Sequence, residues 1–119
     1  MSFLARWLGF GKPAPRVGLR PHVDLDLPLS YDDAFARALN GVEQALGAYV
    51  SVQDPRGGLV EAAFGLVNNE RIRCTLERGP DPSRTRIRVE AIFPAGAQVQ
   101  ENSRAVDALA AYLSAGLDL

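Results

Sequence analysis

An α+β domain built on a single antiparallel sheet is the fold class this sequence predicts, and three observations lead there. Between residues 48 and 93 four runs alternate apolar and polar side chains, parted by short gaps rich in Gly, Pro, Asn and Asp. Two further stretches, after Ser30 and after Ser103, repeat apolar residues at steps of three and four. Every one of these elements has only one apolar side, so all must share one core, with both helices on one face of one sheet.

The elements can be justified in chain order. Residues 22–27 place Val23, Leu25 and Leu27 on one face and His22, Asp24 and Asp26 on the other, the pattern of a half-buried strand that stops at Pro28. A helix over 30–47 follows. Ser30 and Asp33 form the capping box S-x-x-D, Phe35, Ala38, Leu39, Val42, Leu46 and Tyr49 make one stripe, and Gly47 supplies the stop. Four strands at 48–53, 59–66, 70–78 and 84–93 then imply an antiparallel meander. Apolar side chains hold even positions in the first three (Val50, Val52, Val60, Ala62, Phe64, Leu66, Ile72, Cys74, Leu76) and odd positions in the last (Thr85, Ile87, Val89, Ala91, Phe93). Ser103 or Asn102 can cap a final helix that turns Val106, Leu109, Ala110 and Leu113 inward, a side that Leu117 could extend, and closes at Gly116.

The 119 residues divide into a short amphipathic basic segment (1–10), a Pro/Gly linker (11–21) holding three of the eight prolines, and one α+β domain (22–119). Composition, at 47% hydrophobic and 23% charged, is that of an ordinary globular domain. One cysteine and one histidine exclude a disulfide framework, a four-ligand Cys/His zinc site and any Ser-His-Asp triad that does not use His22. The net charge of -1 is uneven, because residues 1–21 carry four bases and no acid while the remainder has nine bases and fourteen acids. No apolar run approaches the roughly 18 residues that span a bilayer, and no secretory signal is present, so a cytoplasmic protein, peripheral to a membrane at most, is expected.

The order of elements and the run Glu101-Asn102-Ser103-Arg104-Ala105-Val106, leading into Leu109 and Leu113, resembles small bacterial helix-grip domains of unknown function. Such domains often have Asn-x-Arg before the closing helix. Many also carry a Ser- and Arg-rich tract there, where this chain has Phe93-Pro94-Ala95-Gly96-Ala97. The likeness covers residues 22–117 and implies an accessory or binding domain in place of an enzyme.

Three groups of residues could carry function. Phe3, Leu4, Trp7, Leu8 and Phe10 with Arg6 and Lys12 would form a short helix with aromatics on one side and cations at its edges, suited to an anionic membrane surface or a protein partner. The same residues could instead cover the protein's own body or a second copy in a homodimer. Arg71, Arg73, Arg84, Arg86 and Arg88 share the non-core face of two strands and could bind a polyanion. That face has no aromatics for base stacking, which disfavours nucleic acid, and a turn at 80–83 would set Glu77 against Arg86 and Arg73 against Glu90 in cross-strand ion pairs. Phe35, Leu39, Phe64 and Phe93 could line an apolar ligand site between helix and sheet, though core packing explains them more simply.

His22, Asp24 and Asp26 could offer one nitrogen and two oxygens to a metal, but acidic residues on an edge strand also guard against aggregation. If this strand pairs with the last, the aspartates would instead balance the arginines. The expectation is a non-catalytic binding or adaptor domain, with no cofactor and no metal, held to a partner or membrane by its N-terminal segment. The alternative is a carrier or sensor of a small apolar ligand.

Overall fold

The computed structural model describes residues 21–64, 70–93 and 103–117. The chain runs β1 (His22–Leu27), α1 (Tyr31–Gln44), β2 (Tyr49–Asp54), β3 (Leu59–Ala63), β4 (Arg71–Arg78), β5 (Thr85–Ile92) and α2 (Arg104–Ser114). The five strands form one open antiparallel sheet in the order β1-β5-β4-β3-β2. The first strand therefore pairs with the last, and β1 and β2, joined by α1, are the two edges. Because the intervening pairs are all antiparallel, β1 and β2 point the same way, and α1 crosses the sheet from one edge to the other. It packs on β2, β3 and β4, while α2 lies beside it over β1 and β5.

Local chemistry fixes the boundaries. Ser30 Oγ accepts from the Asp33 amide at 3.2 Å, and Asp32 and Asp33 sit in the first turn of α1, where the helix dipole favours negative charge. The helix proper ends at Gln44 and the chain turns at Gly47, whose φ of 61° only glycine adopts without cost and whose amide donates to Glu43 O at 3.2 Å. Ser103 caps α2 by accepting from the Val106 amide at 3.1 Å. The last residue of the linker is bonded to the sheet, since Pro21 O accepts from the Ala91 amide at 3.0 Å.

One continuous core joins the inner face of the sheet to both helices. Leu27, Ile72, Ile87, Leu109 and Leu113 are fully buried, each contributing about 1.5–3 kcal/mol by leaving water. Thr85 is buried among them and its hydroxyl donates to Leu29 O at 2.9 Å, tying the start of β5 to the β1–α1 connection.

The strict alternation expected of β2 fails at Val52, which is 38% exposed. The pairing register with β3 shifts between Val50 and Val52, so that Val50 faces Ala62 but Val52 faces Glu61. The extra residue, Ser51, moves Val52 to the outer face of the sheet, and its hydroxyl donates to Glu61 O at 3.3 Å. Leu66, expected in the core, lies outside the described residues, as do residues 1–20 with the whole N-terminal segment.

Candidate functional site

The outer face of the sheet collects most of the charged residues singled out in the sequence. Pairing of β1 with β5 sets His22 against Glu90, Asp24 against Arg88 and Asp26 against Arg86. Pairing of β5 with β4 continues these rows to Arg73, Thr75 and Glu77. Opposite charges thus alternate across three strands. Arg88 reaches Asp24 at 2.7 Å, Arg84 reaches Asp26 at 3.4 Å and Arg86 reaches Glu77 at 4.0 Å. Arg73 stands opposite Glu90 as expected, yet its Nε donates at 2.9 Å to Glu61 on the other side, one strand further in. Arg71 differs from these four: it faces Ile92 and Ala63 and has no carboxylate within 4.0 Å among the described residues.

These pairs are partly exposed and worth about 0.2–1 kcal/mol each, with the two-point Asp24–Arg88 contact the strongest by geometry. That hydrogen bond, ahead of the opposing effect of burial, pushes the Arg88 guanidinium above its already high ordinary range. His22 Nε2 lies 3.9 Å from Asp24 and forms an ion pair only when protonated. With Asp24 engaged by Arg88, the strand set of His22, Asp24 and Asp26 is part of the sheet's charge pairing. Among the described residues no group of three or more His, Cys, Asp or Glu side chains is placed to hold a metal ion.

The aromatic and aliphatic residues considered as a ligand lining pack with the core. Phe35 is 6% exposed and stacks beside Tyr31 at a ring separation of 6.2 Å, while Leu39, Phe64 and Phe93 are half-buried against the same cluster. Cys74 is fully enclosed, and burial, helped by the negative Glu90, pushes its thiol up to about 12, which leaves no thiolate for nucleophilic work near neutral pH.

Among the described residues two clefts open elsewhere, at places the sequence did not mark as a site. The first, of about 480 Å³, lies where α1 begins, and is lined by Tyr31, Asp32, Leu76, Arg78 and the 55–58 turn that carries Arg56, Gly57 and Gly58. Tyr31 organises it. Its hydroxyl donates to Pro55 O at 2.6 Å, and its ring lies 4.3 Å below the guanidinium of Arg78, so one side chain joins the helix, the turn and the end of β4. Gly58 is held by a bond from the Leu76 amide to its carbonyl at 2.8 Å, has φ of 69°, and has no room for a Cβ, which would stand 2.3 Å from Leu76 O. The second cleft, of about 500 Å³, lies between the helices, where Arg37 donates to Ala115 O at 2.5 Å while its buried Nε has no hydrogen-bond partner among the described residues.

No known protein family, curated protein or solved structure matches the chain at a significant level. No described helix is long and apolar enough to cross a membrane.

Proposed function

We propose that the chain is a non-catalytic binding or adaptor domain of the cytoplasm, helix-grip-like in architecture, that works through its surfaces and is held to an anionic membrane or a protein partner by Phe3, Leu4, Arg6, Trp7, Leu8, Phe10 and Lys12. One observation carries this reading. On the outer face Arg73, Arg84, Arg86 and Arg88 are each paired with a carboxylate across the sheet, and Cys74 is sealed in the core. The basic-aromatic segment and its proline linker then remain as the part of the chain with a composition suited to attachment. Two helices over one face of an open antiparallel sheet support the helix-grip-like description.

Co-sedimentation of the full chain with vesicles tests the tether. Pelleting is expected with anionic vesicles, little with neutral ones, and a loss of pelleting in a Trp7→Ser/Phe10→Ser variant. Equal pelleting of the variant, or equal pelleting with neutral vesicles, would count against a membrane. Dimerisation abolished by the same substitutions would assign the segment to a second copy instead.

A further inference from the structure

We propose that the cleft formed by the start of α1, the 55–58 turn and the end of β4 binds a phosphate group, free or carried as a monoester. Its residues are distinct from the N-terminal segment, so this inference stands or falls apart from the tether. Arg56 and Arg78 both line the cleft, and neither has a carboxylate within 4.0 Å among the described residues, whereas Arg73, Arg84, Arg86 and Arg88 on the outer face all do. Two arginines without a carboxylate partner among the described residues line one concavity from positions 22 residues apart, and each guanidinium fork can hold two oxygens of an oxyanion.

The walls are fixed in advance. Tyr31 pins the turn through Pro55 and supports the guanidinium of Arg78 on its ring, and the bond between Gly58 and Leu76 ties the turn to β4. A site ordered before binding loses less freedom when the ligand arrives. Its volume of about 480 Å³ falls within the range of small-ligand pockets, about 300–1,000 Å³.

Charge selects the ligand. Asp32 also stands in the lining, so two guanidiniums against one carboxylate leave a net charge of +1. Asp54, at the start of the turn and outside the lining, accepts from the Gly57 amide through Oδ1 at 3.1 Å. A carboxylate ligand has two oxygens and one charge, which a single guanidinium satisfies. A phosphate monoester presents three terminal oxygens and about -1.5 to -2 charges, enough to engage both arginines against the repulsion of Asp32.

The test is a ¹H–¹⁵N NMR titration of the full chain with inorganic phosphate and with O-phosphoserine, using acetate at equal ionic strength as comparator. Saturable shifts are expected at the amides of Tyr31, Asp32, Gly57 and Gly58 with the phosphate probes, and the stronger of the two identifies the free or the esterified group. Arg56→Gln, on an exposed turn where folding is not at stake, should weaken binding about tenfold, the effect of one charged hydrogen-bonding group. Arg78→Lys, which keeps the charge but not the fork, should weaken it as well. Shifts that do not saturate, that acetate reproduces, or that survive Arg56→Gln unchanged would overturn the proposal.

Discussion

Arg88 holds Asp24 by two parallel hydrogen bonds, from Nε to Oδ1 at 2.7 Å and from Nη2 to Oδ2 at 3.1 Å, across the seam where the first and last strands of the sheet meet. Both groups are half-shielded, with side chains 38% and 18% exposed, so water screens the pair only in part. Asp24→Asn should therefore destabilise the fold by about 1–2 kcal/mol, chiefly by removing the charge of the carboxylate that the guanidinium holds at two points. Denaturant midpoints check this. If Asp24→Asn/Arg88→Gln is no more stable than Asp24→Asn alone, the pairing is not what the single change disturbs.

The cap of α2 carries more than its own helix. Ser103 is buried, its Oγ accepts from the Val106 amide at 3.1 Å, and its hydroxyl donates to the Glu70 carboxylate just before β4. Ser103→Ala removes both contacts and should cost about 1–2 kcal/mol, the upper part of the range for cap substitutions. Ser103→Asp restores a capping oxygen but sets two carboxylates together, so it should recover less than a cap alone would at neutral pH. Thermal melting of the two variants distinguishes the cap from the link to Glu70.

Most of the architecture was legible because each side-chain pattern meets one surface. Ile72, Cys74 and Leu76 on β4 and Ile87, Val89 and Ala91 on β5 are all buried, as their alternation predicts, and Ser30, Gly47 and Ser103 act at the helix ends where their chemistry places them. The alternation misled at Val52 because a bulge adds one residue without any mark in composition. Register made the charge pairing legible too, since Arg86 against Glu77 follows once the turn is known, but the choice of Glu61 over Glu90 by Arg73 depends on how β3 lies alongside β4, one connection earlier in the chain. The cleft around Tyr31 had no signature. Tyr31, Arg56 and Arg78 meet only because α1 crosses the sheet and lands its first turn beside the β2–β3 connection, and no local pattern encodes that crossing.

Close approach of the two helices rests on Gly41. A Cβ there would stand 2.6 Å from Leu109 Cδ1 and 2.9 Å from Tyr112 Cδ1. Glycine in a helix interior costs about 1 kcal/mol relative to alanine, so a bland surface position would gain from any larger residue. Here the gain is opposed, because Leu109 is fully buried and cannot yield without moving its neighbours. Gly41→Val should destabilise by about 1–3 kcal/mol, as overpacked cores do. An unchanged denaturant midpoint would mean that α2 gives way freely.

Cys74 provides a reporter of the core that needs no added probe. It sits between Ile72 and Leu76 on β4 with no exposed surface, and loss of hydration, followed by the negative charge of Glu90, raises its thiol from 9.0 to about 12. The thiol is neutral when protonated, so a folded value above the unfolded one means that the folded chain keeps its proton where the unfolded chain gives it up. The stability this group contributes is complete below pH 9 and is lost as pH rises through the interval toward 12, at a slope of about 1.4 kcal/mol per pH unit once the unfolded thiol is ionised. Cys74→Val, close in volume and unable to ionise, should flatten the alkaline limb of the stability curve relative to the native chain between pH 9 and 11. Alkylation by iodoacetamide at pH 8 should correspondingly be slow in the folded protein and should accelerate with denaturant along the unfolding curve. Rapid modification without denaturant would show that the sheet opens around β4 far more often than its packing implies, and the assignment of Cys74 as an inert core residue would fall with it.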